Sequence, residues 1–274
     1  MEITKIITES IKNQTPLSFM KLGDGEFMCA IKDYENNPQY NELICEDFNY
    51  NNYNCDKDLY NENKKKKLIE CFQFMVDNTN NCFIGLWCDE NNKYYWQSLV
   101  KNEIIFVKYN TLYILDNEYI NDKIDLYKTI KYSKMKKIYI CNPLLIKAKI
   151  LLDIDHMIYI SYNNWFETQL NKVIENIKNI ISNSEINDKF IIMTSGGITS
   201  KILIYELIKL FPNNIYLDFG SAIDKICTKK TTRGWEPSYE KLMELLQEII
   251  PSDWNNSEYD YIYDEANKKL GIHI

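Results

Sequence analysis

Phe190-Ile191-Ile192-Met193-Thr194-Ser195-Gly196-Gly197-Ile198-Thr199-Ser200-Lys201 is the stretch on which the fold turns. Four consecutive apolar residues make a strand with no polar face, and the small residues from Thr194 to Gly197 break it. From Ile198 apolar positions recur at helical spacing to about residue 210. A strand that is apolar on both sides needs a layer over each face, the pattern of a parallel sheet. The neighbouring sequence keeps the same rhythm. Residues 137–141 read as a strand, broken by Asn142-Pro143 before a helix over 144–152. Residues 157–160 form the next strand, with a long helix over 165–181, and 215–217 a further strand. Upstream, a helix over 64–77 leads into a buried strand at 82–87, then a helix at 94–100 and a short strand at 104–107. The expectation is a single α/β domain over 1–274, with a core at about 15–250 and a tail at 251–274. Its architecture is a Rossmann-like, doubly wound, mostly parallel sheet with helices on both faces.

In such sheets ligands bind outside the carboxyl ends of the strands. Asn142 and three longer stretches fall at that rim. Lys21-Leu22-Gly23-Asp24-Gly25-Glu26 ends a short buried strand, and Phe27, Met28, Ala30 and Ile31 resume at helical spacing. Residues two apart in extended chain point the same way, so Asp24 and Glu26 are candidate ligands for one hard divalent cation, Mg²⁺ or Mn²⁺. The same residues also suit an ordinary solvated turn. The turn from Ser195 to Thr199 opens a helix, and its backbone N–H groups can receive phosphate, although Ser, Gly and Thr also simply cap helices. Asp218-Phe219-Gly220-Ser221-Ala222-Ile223-Asp224 leaves the last strand with two more acids.

Composition narrows the partners. The chain of 274 residues carries a net charge of −7, which argues against a nucleic-acid or anionic-membrane partner. The lysine run 64–67 opens an amphipathic segment and reads as a solvated helix face. Eight cysteines have no paired spacing of a zinc or disulfide site. The amphipathic N-terminus lacks the apolar core of a signal peptide, and no apolar run approaches the roughly 18 residues of a membrane span. A soluble, cytoplasmic, reduced protein is expected. Lysine is used 31 times and arginine once, at Arg233. A lone guanidinium in so lysine-rich a chain suggests a bidentate phosphate donor, or else an ion pair with Asp224 or Glu236. The 8 glycines are scarce, and most cluster at the rim stretches.

The stretches Gly23-Asp24-Gly25-Glu26, Ser195-Gly196-Gly197-Ile198-Thr199-Ser200-Lys201 and Asp218-Phe219-Gly220-Ser221-Ala222-Ile223-Asp224, in that order, resemble the GT-D type glycosyltransferases. That family, formerly a domain of unknown function, has a Rossmann-like fold and a G-D-G-E signature. The resemblance covers about residues 15–240. It implies transfer of a sugar from a nucleotide-diphosphate sugar, a UDP-sugar, to a hydroxyl of a glycan or glycoconjugate. It also implies a divalent ion on Asp24 and Glu26, and a nucleotide site from Ser195, Gly196, Gly197, Thr199, Lys201, Gly220, Ser221 and Arg233. Two departures stand out. Lys21 occupies a position where relatives often have Arg, and Ser221 one where some have His. Asp218 or Asp224 is then the candidate base. Trp165 or Trp235 are candidates for stacking on base or sugar. A metal-dependent phosphohydrolase or phosphotransferase, and a non-catalytic nucleotide-sugar binding module, would use the same residue types. Self-association is left open by the sequence.

Overall fold

The computed structural model describes residues 3–31, 60–78, 80–87, 90–115, 119–162, 164–230, 236–252 and 254–255. Most of residues 33–63, Arg233, Trp235 and nearly all of the tail lie outside the described residues. Seven strands form one sheet in the order β3-β2-β1-β7-β6-β4-β5. They are β1 (Leu17–Leu22), β2 (Cys82–Leu86), β3 (Val107–Lys108), β4 (Lys136–Cys141), β5 (His156–Tyr159), β6 (Phe190–Ser195) and β7 (Ile215–Asp218). Every pairing is parallel. The sheet is thus the doubly wound α/β arrangement expected from the continuous apolar strands.

Successive residues of each strand face opposite layers. Phe190 and Ile192 of β6 and Ile138 and Ile140 of β4 pack with α2 (Asp24–Ile31), α3 (Glu62–Asp77), α4 (Glu90–Ser98) and the helices between residues 165 and 210. Ile191, Met193, Tyr139 and Cys141 face the other way, toward α1 (Ile3–Asn13) and α5 (Ile120–Tyr132). Amphipathic α1 buries Ile3, Ile7 and Ile11 on that second side. Each fully buried aliphatic side chain contributes about 1.5–3 kcal/mol, so both layers are needed to hold a sheet with no wet face.

Local chemistry redraws several expected boundaries. The helix expected over 144–152 is a 3-10 turn, Pro143–Leu145, followed by α6 (Ala148–Leu152). Asn142 Oδ1 accepts from the Leu144 N–H at 3.0 Å and fixes that turn. The long helix near 165–181 is two helices, α7 (Trp165–Thr168) and α8 (Leu170–Ser182). Gln169 separates them with φ −132°, and its amide reaches back to accept from the Ser161 N–H at 3.2 Å. The strand expected over 104–107 shortens to Val107–Lys108. Helix α5, and the short helix α11 (Tyr239–Leu245) near the end of the described chain, were not expected from the sequence.

The topology decides where a ligand meets the sheet. β1, β2 and β3 run outward in one direction, while β4 to β7 fill the other half. β1 and β7 adjoin where the two halves meet, with Phe19 opposite Leu217. Their carboxyl ends are the place where such folds form a crevice.

Candidate functional site

At the end of β1 the chain turns at Gly23 directly into α2, whose first residue is Asp24. The Gly23 carbonyl accepts from the Phe27 N–H at 3.1 Å, the first bond of the helix. Glu26 folds back so that its Oε2 accepts from the Gly23 N–H at 2.8 Å. This is the reciprocal half of a capping box, with an acid three residues inside the helix holding the N–H at its start. Asp24 and Glu26 are therefore in the first turn of a helix and not in extended chain. Residues two apart there lie about 200° apart around the axis, and Glu26 is turned inward while Asp24 stays at the rim, half-buried.

Glu26 Oε1 meets Lys201 Nζ at 2.8 Å, and the same ammonium lies 3.0 Å from Asp218 Oδ2. Its third partner is the Gly197 carbonyl, at 3.0 Å. Lys201 sits one turn into α9 (Gly197–Leu210), and Asp218 is the last residue of β7. The Asp218 carboxylate also accepts from the backbone N–H groups of Lys21, at 3.0 Å, and Gly220, at 3.1 Å. The cluster is sealed: Lys21 is 1% exposed, Lys201 4%, Glu26 6% and Asp218 0%. Burial by itself would drive the Lys201 ammonium toward neutrality, but Asp218 and Glu26 outweigh that and hold it well above the ordinary lysine range.

Lys21, the second buried lysine here, turns to the opposite face of the sheet. Its Nζ donates to the Phe219 carbonyl at 2.6 Å and lies over the rings of Tyr113, at 4.5 Å, and Tyr109, at 4.9 Å. Tyr113 Oη shares a 2.8 Å hydrogen bond with Ser221 Oγ. Gly220, with φ +51°, is needed here because a Cβ would stand 2.6 Å from Lys21 Nζ. Neither tyrosine was singled out in the sequence, where 21 tyrosines hide any two of them.

The other expected residues divide into buried and accessible. Ser195 is buried, its Oγ sharing a 2.7 Å hydrogen bond with Tyr139 and its carbonyl accepting from Tyr162 Oη at 3.2 Å. The Gly196 carbonyl accepts from Trp165 Nε1 at 2.9 Å, and a Cβ at Gly196 would stand 2.6 Å from Ile160 Cδ1. Trp165 is thus a core residue and not a stacking platform. Thr199 is buried in the first turn of α9. Gly197, Ser221 and Asp224, the last at the start of α10 (Asp224–Thr228), reach the rim and are half-buried, as Asp24 is. His156 opens β5 at the opposite end of the sheet from this rim. Burial raises the thiols of Cys29, to about 12, and Cys82, to about 11, so neither is a thiolate nucleophile near neutrality.

An exposed aromatic at the rim is Trp87, which follows β2 and is 36% exposed. Its N–H donates to the Leu22 carbonyl at 3.0 Å, and its ring meets Tyr109 edge-on at 5.5 Å. Tyr109 in turn stacks on Tyr113 at 6.2 Å. A cavity of about 720 Å³ opens elsewhere, along the outer edge of β2, lined by residues such as Met75, Phe83, Ile104 and Phe106. Its lining mixes these apolar side chains with Glu103, Lys108 and Lys123, and contains none of the rim acids.

A divalent ion prefers about six oxygen ligands, at roughly 2.0–2.1 Å for Mg²⁺. Both oxygens of Glu26 are already engaged, one by an ammonium and one by a backbone N–H. Among the described residues, no group of three or more His, Cys, Asp or Glu is placed to hold an ion. The donor set at Glu26 and Asp218 does not fit a divalent ion while Lys201 stands between them.

Removing one partner of a buried ion cluster leaves an uncompensated charge and costs about 3–5 kcal/mol. Lys201→Met is expected to lose stability by that amount in chemical denaturation. A lysine whose folded pKa lies above its unfolded one stabilises fully below the unfolded value and loses that contribution as pH rises through the folded value. As pH rises, the lysine's share of the gap between wild type and Lys201→Met should therefore persist to about pH 9.5 and be lost only above the ordinary value of 10.5. A gap that closes below pH 9 would contradict the buried cluster.

Gly197 has φ +58°, where Asn is tolerated and a β-branched residue is strained by about 1–2 kcal/mol. Gly197→Val is expected to lower Tm on backbone grounds alone, and Gly197→Asn to keep most of it. Equal losses in the two variants would mean the backbone there is not left-handed.

No protein-family model matches the chain, and no curated protein matches it. Among solved structures it is similar to one described as the selenomethionine-substituted structure of domain of unknown function 1792. The identity is 14%, over 90% of this chain and 88% of that one, with a TM-score of 0.50. It also matches, at 15% identity over the same shares and a TM-score of 0.48, a structure titled "The highly conserved domain of unknown function 1792 has a distinct glycosyltransferase fold". The first likeness establishes a common fold. It agrees with the resemblance drawn from the three rim motifs, to a family formerly called a domain of unknown function.

Proposed function

We propose that the chain is a glycosyltransferase that moves a sugar from a nucleoside-diphosphate sugar, a UDP-sugar, to a hydroxyl of a glycan or glycoconjugate. The observation that carries this reading is the convergence of the three motif stretches on one ammonium. Glu26 of the first and Asp218 of the third both bind Lys201 of the second, at the β1–β7 rim. Groups at that rim divide the work. The start of α9 at Gly197 receives the diphosphate through backbone N–H groups and the helix dipole. Trp87 stacks on the base or the sugar. The acceptor oxygen attacks the anomeric carbon, the bond from that carbon to the phosphate oxygen breaks, and the acceptor proton passes to a carboxylate. Asp224 is better suited than Asp218 to take it, because Asp218 is fully buried against Lys201 and two backbone N–H groups. Glu26, committed to Lys201 and the Gly23 N–H, is not open to a divalent ion.

A panel of nucleotide sugars, assayed for nucleoside-diphosphate release with and without glycan acceptors, tests the reading. Acceptor-dependent release is the expected result. Asp224→Asn should lower kcat by about 10²–10⁴ with donor affinity kept. Trp87→Ala should weaken donor binding by about 0.5–1.5 kcal/mol. Release at the same rate without acceptor would make the chain a hydrolase, and no turnover with any donor would leave at most a binding module.

A further inference from the structure

We propose that the Lys201 ammonium is the resident cation of the Glu26–Asp218 carboxylate pair, standing where a divalent ion would otherwise be held. Three observations carry this. Lys201 Nζ lies at contact distance from both carboxylates, 2.8 and 3.0 Å, and its third proton is directed to the Gly197 carbonyl at 3.0 Å, so the ammonium is saturated. The carboxylates are completed by backbone donors that a metal would not supply: Gly23 N–H on Glu26, and Lys21 and Gly220 N–H on Asp218. Lys201 is also paired with both carboxylates inside a group almost wholly shielded from water, so its charge acts on them undiluted by solvent. A divalent ion added to this arrangement would bring two uncompensated positive charges into the interior next to an ammonium, which Coulomb repulsion opposes.

The consequence runs in both directions. With Lys201 present, the carboxylate pair has no vacancy for Mg²⁺ or Mn²⁺. With Lys201 shortened, both buried carboxylates lose the ammonium they share, and the excess negative charge recruits a cation into the space it leaves. Lysine thus replaces a diffusible cofactor with a tethered one that chelators cannot remove. This holds whether or not the chain transfers a sugar, since it concerns occupancy of the carboxylate pair alone.

The experiment is a titration of the metal-stripped full chain with MnCl₂, following the loss of the free Mn²⁺ signal by electron paramagnetic resonance. Tm is recorded with and without the ion. Wild type is expected to show no Mn²⁺ site that depends on Glu26. Lys201→Ala is expected to bind one Mn²⁺ about tenfold or more tighter than wild type, and to regain Tm on its addition while wild type does not. Lys201→Gln, which keeps the volume and one donor pair, serves if the alanine variant does not fold. A wild-type Mn²⁺ site that is lost in Glu26→Gln overturns the proposal. So does a folded Lys201→Ala or Lys201→Gln chain that binds no more Mn²⁺ than wild type, since the carboxylates would then not form a cation site.

Discussion

One ammonium ties the molecule together at its rim. Lys201 lies 2.8 Å from Glu26 and 3.0 Å from Asp218, and so joins the first helical turn after β1, the end of β7 and the first turn of α9. These segments are far apart in sequence, and only the strand order, with β7 beside β1, brings them together. A buried ion pair is weak evidence for stability, because desolvation offsets much of the attraction. What it does supply is position. Each carboxylate is also held by backbone N–H groups, so the turns on either side inherit their geometry from the charges. The end of β1, the end of β7 and the start of α9 can shift only together.

This divides the rim into a rigid floor and a reactive surface. Lys21, Glu26, Lys201 and Asp218 form the floor, with Tyr109 and Tyr113 closing over Lys21. Asp24, Gly197, Ser221, Asp224 and Trp87 lie above it, where a ligand can reach them. Ser221 is coupled to the floor through Tyr113 Oη, 2.8 Å away, and Trp87 through its edge contact with Tyr109. Groups that contact substrate are therefore oriented by groups that do not, which is how a site on turns gains precision.

The fold was legible because its main signal is local. Runs such as Phe190-Ile191-Ile192-Met193 are apolar on both faces, and only a sheet covered twice satisfies them. Strand order was not legible, since pairing depends on contacts between distant segments. Helix breaks were missed where a polar side chain captured the backbone: Asn142 at the 3-10 turn and Gln169 between α7 and α8. At the site, the sequence displays residue types but not the directions of their side chains. Extended chain would point Asp24 and Glu26 the same way, but the chain is already helical at Asp24. Lys201 follows a turn suited to phosphate, and nothing in its sequence neighbourhood indicates that its partners are Glu26 and Asp218. The tyrosines over Lys21 belong to a loop after β3 with no periodicity to mark it.

The glycines illustrate the same difference between place and reason. Their scarcity directs attention to the rim, and the rim is where backbone is approached closely. The approaching atoms, however, belong to the chain itself. At Gly220 it is Lys21 Nζ that would stand 2.6 Å from a Cβ, and at Gly196 it is Ile160 Cδ1, with Trp165 close behind at 3.0 Å. At Gly23 it is Tyr109 Oη, at 3.2 Å. These glycines let large side chains and a buried ammonium pass close to the backbone, so that lysines can do inside the protein what small cations do elsewhere. In a chain with 31 lysines and a single arginine, that use of lysine matches its chemistry. A flexible stem and a compact charge can enter a narrow interior site that a planar guanidinium cannot turn within.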